Sequence, residues 1–230
     1  MAHTTHLAID EEVRIDTRQG AIEGALIIPD NAHGVILFAH GSGSSRLSPR
    51  NRFVADELHE RGFGTLLFDL LTASEEVRDM RTAEHRFDIG LLVDRLLLAT
   101  DWLSDNAATR QFSIGYFGAS TGAAAALGAA AERPEVAAVV SRGGRPDLAG
   151  EALPRVEAAA LLIVGEQDVP VIPLNRSALA RLERSRAREL VLVPGATHLF
   201  EEAGALEEVA RLAGDWFTQH VTPPEGSRRH

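Results

Sequence analysis

The chain is 230 residues long and 45% hydrophobic, with 33 acidic against 23 basic residues for a net charge of −10. One α/β domain around a large core is the simplest organisation at that length, and the acidic balance argues against nucleic acid and anionic membrane surfaces as partners. Cys is absent and every basic residue is Arg, which excludes disulfides, thiolate metal sites, a Cys nucleophile, Schiff-base chemistry and a phosphate-loop lysine.

Residues 1–12 lack a basic region followed by an apolar core, so no signal peptide is expected. No apolar run of about 18 residues exists either, and a cytoplasmic location is the default expectation. Residues 13–17 alternate like a half-buried strand, Gln19-Gly20 makes a turn, and residues 21–28 read as the hairpin partner. Residues 35–39 and 64–68 are continuous apolar runs, the mark of strands buried on both faces of a parallel sheet. Between them lie the loop from His40 to Ser45 and a predicted helix over residues 49–61. Residues 72–84 are polar and non-periodic, and read as a surface excursion. Residues 86–103 form an amphipathic helix, with Ile89, Leu92, Val93, Leu96, Leu97 and Trp102 at helical spacing.

Next comes an apolar strand from Phe112, then Gly118-Ala119-Ser120-Thr121-Gly122, then an Ala-rich helix that stops at Arg133-Pro134. Strands are expected over residues 136–140, 158–164 and 190–193. A short helical segment is expected over 147–153, and helices over 175–184 and 207–217. The chain thus reads as a single α/β domain over residues 1–221 with a disordered tail over 222–230. About eight strands would form a mostly parallel sheet, opened by the antiparallel hairpin, with helices on both faces.

Strand, Gly-x-Ser-x-Gly turn and helix in that order make a nucleophile elbow, which lifts the Ser120 hydroxyl off the end of the sheet. Asp168 and His198 also follow predicted strands, and in such sheets the ligand site lies beyond the carboxyl ends of the strands. The order nucleophile, acid, base is the one the elbow predicts. His198 would take the Ser120 proton as general base, and Asp168 would fix its tautomer. Glu166 is the alternative acid, but Asp168 lies further towards the loop tip. The oxyanion hole would use the backbone N–H groups of Thr121, after the nucleophile, and of Ser42 in the loop after the third strand. Arg142 and Arg145, ending a strand at the site edge, are candidate clamps for a substrate carboxylate; pairing with Asp147 or Asp69 is the competing role. No histidine pair has metal-ligand spacing, so no metal is expected. Gly41-Ser-Gly43 followed by Asp69 is half of a dinucleotide fingerprint, but Arg46 stands at the third glycine. No cofactor is expected.

These residues resemble the α/β-hydrolases and, within them, the small dienelactone hydrolase-like proteins. The resemblance runs from the hairpin to Phe217 and is carried by His40-Gly41-Ser42-Gly43, Arg50-Asn51-Arg52-Phe53, Phe68-Asp69-Leu70-Leu71, the elbow, Ser141-Arg-Gly-Gly-Arg145 and Pro194-Gly-Ala-Thr-His198. Similar domains occur alone or joined to a phosphoribosyltransferase domain. The resemblance implies the triad Ser120, Asp168 and His198. Dienelactone hydrolases proper use a cysteine nucleophile, and serine at position 120 points to ordinary ester hydrolysis. Only residues 143–158 separate the sixth strand from the seventh, so no sizeable cap is expected, and an open site suits small accessible ester substrates. The expected function is therefore hydrolysis of carboxylic esters through an acyl-enzyme on Ser120; a non-catalytic or acyl-transferring binding protein on the same fold is the alternative. Oligomeric state is left open.

Overall fold

A computed structural model describes residues 6–222 of the chain. The tail read as disordered over residues 222–230 lies, from residue 223 on, outside the described residues. The elements, in order, are β1 (Leu7–Thr17), β2 (Gly20–Pro29), β3 (Gly34–Ala39), α1 (Pro49–Glu60), β4 (Phe63–Phe68), α2 (Ala73–Thr82), α3 (Ile89–Asp105), β5 (Ser113–Ala119), α4 (Thr121–Glu132), β6 (Ala138–Arg142), a 3₁₀ segment (Pro146–Arg155), β7 (Ala159–Gly165), α5 (Ile172–Arg181), β8 (Arg188–Val193) and α6 (Ala205–His220).

The eight strands form one sheet in the order β1-β2-β4-β3-β5-β6-β7-β8. β1 and β2 pair antiparallel, β2 meets β4 antiparallel, and every pairing from β4 to β8 is parallel. The expected hairpin and parallel sheet are therefore present. All residues of β3, β4 and β7 are buried, because helices cover both faces. One face packs Ile36, Phe38 and Phe117 against Val54 and Leu58 of α1 and Val209 and Phe217 of α6. The other packs Leu37, Tyr116 and Val139 against Leu92 and Leu96 of α3 and the alanines of α4.

Sheet order explains where the site lies. From β3 the chain crosses over α1 towards β4, whereas from β5 it crosses over α4 in the opposite direction, towards β6. Right-handed crossovers going opposite ways put α1 and α4 on opposite faces, and a crevice opens beyond the adjacent ends of β3 and β5.

One expectation is corrected. Residues 73–82, read as a non-periodic excursion, form α2. Its helicity rests on a capping box and ion pairing instead of an apolar stripe. Thr72 Oγ1 accepts from the Glu75 amide, and Glu75 accepts from the Thr72 amide at 2.8 Å. The other Glu75 carboxylate oxygen receives Arg95 of α3 at 2.6 Å. At the far end, Asp79 accepts from the amides of His85 and Arg86 and from Arg86 Nε. The segment after β6 is 3₁₀ with a kink at Gly150, φ 51°, and no described helix is long and apolar enough to cross a membrane.

Candidate active site

β5 ends at Ala119, and Ser120 turns the chain into α4 with φ 52° and ψ −121°. That conformation is strained for any residue with a Cβ. Close packing enforces it: a Cβ on Gly122 would lie 2.1 Å from the Ala39 carbonyl oxygen, and one on Gly118 would lie 2.5 Å from Ala123 Cα. The Ser120 amide donates to the Arg142 carbonyl at 3.3 Å, while its own carbonyl accepts from Ala123 and Arg145. Both neighbouring crossings thus pin the serine.

Asp168 and His198 meet because β7 and β8 are parallel neighbours in register, Gly165 opposite Val193. Their loops are stitched by Glu166 N–H to Val193 and Gln167 N–H to Ala196. His198 Nδ1 donates to Asp168 Oδ2 at 2.6 Å. A carboxylate accepts, so Nδ1 carries a ring proton. The carboxyl is 10% exposed and the imidazole 41%, so the carboxylate is held inside while the ring is partly open to solvent. Glu166 instead takes the Gly195 amide at 3.0 Å, which assigns the histidine's partner to Asp168.

The ring lies near Gly143, just past the strand end that supports Ser120. A Cβ on Gly143 would fall 2.9 Å from the His198 carbonyl oxygen and 3.6 Å from its Nδ1, and the preceding residue, Arg142, holds the Ser120 amide. Among the described residues, Ser120 Oγ makes no hydrogen bond to His198 within 3.5 Å, so this link is not closed. Such bonds are commonly long before substrate binds.

The loop after β3 lies against the elbow, where a Cβ on Gly41 would approach Ser120 Cβ to 2.9 Å. Ser42 Oγ and Thr121 Oγ1 are hydrogen-bonded at 3.0 Å, and neither residue's amide has a protein partner among the described residues. Two such amides on the segments that meet at Ser120 would suit a tetrahedral oxyanion. His40 holds this loop. The Leu70 amide can only donate, so His40 Nε2 accepts it at 3.0 Å and Nδ1–H donates to the Gly41 carbonyl. Burial pushes the His40 pKa below its ordinary 6.5, against a smaller raising effect of the Gly41 carbonyl.

A depressed pKa makes the neutral ring a source of stability above pH 6.5, lost as pH falls from there through the lower folded value. Denaturant midpoints measured from pH 7.5 to 5 should therefore fall on acidification, and less steeply in His40→Gln. An unchanged slope in that variant would remove His40 from the account.

The two arginines diverge. Arg145 donates to both oxygens of Asp147, at 2.9 and 2.8 Å, following the competing role. Arg142 turns under the start of α1, reaching Asn51 Oδ1 at 3.4 Å, and has no acidic partner among the described residues. Burial and then the charge of Arg50 lower its pKa to about 10. Asp69 is taken by Arg46, at 2.6 Å, which leaves it no ribose-binding role. Phe200, unnoticed in the sequence, is buried at φ 56°. Its ring packs where a Gly143 side chain would go, and this second strained residue fixes the loop that carries His198. Among the described residues no acid or histidine cluster could hold a metal ion.

The model of the dienelactone hydrolase family matches residues 22–220. The chain belongs to that family. The crystal structure of a dienelactone hydrolase from Anabaena variabilis is 56% identical, with 93% of this chain and 98% of that chain covered at a TM-score of 0.89. Relatives from Mycobacterium tuberculosis that carry the name phosphoribosyl transferase are 53% identical over 216 residues. That alignment takes in 94% of this chain but 47% of theirs, so the chain spans about half the length of those curated relatives. Est1E from Butyrivibrio proteoclasticus shares the fold at 16% identity and a TM-score of 0.74, covering 90% of this chain and 98% of that one. With the elbow in place, this member of the dienelactone hydrolase family has the α/β-hydrolase fold.

Proposed function

We propose that the chain is a serine hydrolase that cleaves carboxylic esters of small, accessible substrates. The observation that carries this reading is the Asp168–His198 hydrogen bond at 2.6 Å, beside a serine held at φ 52° on the elbow. Ser120 Oγ attacks the ester carbonyl as His198 Nε2 takes its proton. The carbonyl oxygen becomes an oxyanion bound by the Ser42 and Thr121 amides, each such donor contributing about 3–4 kcal/mol to transition-state stabilisation. His198 then returns the proton to the leaving alkoxide, and an acyl-Ser120 ester remains. Water, deprotonated by the same imidazole, releases the acid. The name of the Anabaena relative adds lactones, which are cyclic esters, to the compounds worth assaying.

The unclosed link between Ser120 and His198 is what the other reading, a ligand-binding protein with little turnover, would rest on. A fluorophosphonate probe separates the two. The folded protein is expected to acquire one phosphonyl group on Ser120, located by peptide mass spectrometry. Absence of label on native protein would overturn the hydrolase mechanism in favour of binding.

A further inference from the structure

Ser120 is packed in by two glycines, Gly118 and Gly122, and the turn that carries His198 rests on two others. Residues 197–200 form that turn, closed by the Phe200 amide donating to the Thr197 carbonyl at 3.3 Å. The Thr197 hydroxyl also donates to Glu202 at 2.6 Å, so the turn is braced from within. Its backbone lies on the ends of β6 and β7. A Cβ on Gly165 would stand 2.4 Å from the Ala196 carbonyl oxygen and 2.5 Å from that of Thr197. One on Gly143 would stand 2.9 Å from that of His198. Backbone comes this close only where the facing residue has no side chain.

Gly143 is tied to the other two members of the proposed triad as well. Arg142, just before it, holds the Ser120 amide through its carbonyl, and the Ser120 carbonyl accepts from Arg145, just beyond. The Gly143 amide donates to Ile163 at 2.8 Å, on the strand that leads into Asp168. Phe200, buried and at φ 56°, packs its ring on the same spot, with Cε2 3.3 Å from the Gly143 Cβ position.

From these contacts we infer that Gly143 and Gly165 are a seat for the base, clipped by Phe200, and that this seat sets the reach from His198 to Ser120. This rests on the serine hydrolase reading above. The three act through His198 and are positioning residues. A side chain added at either glycine pushes the braced turn outwards as one piece and carries the imidazole with it. Proton transfer needs hydrogen-bond separation, and a misplacement of about 1 Å costs on the order of 10²-fold in rate.

Three alanine variants of the full chain separate contact from strain. Gly150 shares with Gly143 a φ of 51° but has nothing within 4 Å of its Cβ position, so Gly150→Ala adds strain without contact. Gly165 has no positive φ, so Gly165→Ala adds contact alone, and Gly143→Ala adds both. Active sites are counted by fluorophosphonate labelling of Ser120 carried to completion, and p-nitrophenyl acetate turnover is expressed per labelled site. Gly143→Ala and Gly165→Ala are expected to lower kcat per site on the order of 10²-fold with KM nearly unchanged. Gly150→Ala should keep the wild-type kcat per site. Phe200→Leu keeps an apolar side chain but loses the ring on Gly143; it should lose about tenfold, and it serves as the test if the glycine variants do not fold. Wild-type kcat per site in Gly143→Ala, or in Phe200→Leu where that variant is the test, overturns the inference. Fewer sites of full activity are what a merely structural residue gives. A loss in Gly150→Ala equal to that in Gly143→Ala also overturns it, by assigning the effect to strain. A wild-type protein that neither labels at Ser120 nor turns over ester brings down the hydrolase reading itself, before any variant is compared.

Discussion

Ser120→Ala is expected to lower kcat for p-nitrophenyl acetate on the order of 10⁶-fold while leaving the fold intact. The size follows from concerted action: without Oγ, His198 has no hydroxyl proton to take and Asp168 no imidazolium to stabilise, and only binding and the two amide donors remain. Backbone geometry adds a second, independent expectation. Ser120 sits at φ 52°, ψ −121°, where any Cβ is strained by about 1–3 kcal/mol. Alanine keeps that strain, but glycine releases it at an entropic cost of about 0.5–1 kcal/mol. Ser120→Gly should therefore be as inactive as Ser120→Ala yet more stable, by about 1 kcal/mol in urea unfolding. Retention of wild-type turnover by Ser120→Ala would sink the mechanism. Equal stability of the alanine and glycine variants would show that the elbow stores no strain.

The sheet was legible wherever one physical cause dominated. Residues 35–39 and 64–68 are buried on both faces, so their apolar runs are unbroken. The elbow was readable because Gly118 and Gly122 have no room for a side chain. Asp168 and His198 could be paired from the sequence only because β7 and β8 are adjacent, which the alternation of strands and helices implies. α2 escaped the periodicity argument because Glu75 and Asp79 face inward to Arg95 and Arg86, reversing the rule that charge marks the solvent side. The Thr72-x-x-Glu75 box was its available signal. Phe200 had none, since a bulky residue at positive φ is disfavoured locally and is held there by its packing against Gly143. The fates of Arg142 and Arg145 depend on which loop acid and which helix end lie overhead, and strand boundaries do not carry that information.

Asp168→Asn is expected to cost on the order of 10⁴-fold in kcat with little change in KM. The carboxylate accepts the Nδ1 proton at 2.6 Å, which in the proposed mechanism leaves Nε2 to act as the base. An asparagine can turn its NH₂ towards Nδ1 and so favour the proton on Nε2, which then cannot take one from serine. The loss is one of proton chemistry: the side chain is nearly isosteric and 10% exposed, so circular dichroism and unfolding should change little. Glu166 supplies the internal comparison, because it lies on the same turn but holds the Gly195 amide. Glu166→Gln keeps an oxygen for that amide and should lose less than tenfold. A Glu166→Gln variant as impaired as Asp168→Asn, or an Asp168→Asn variant within tenfold of wild type, would mean that the acid beside His198 orients a loop and leaves the ring's protonation to something else.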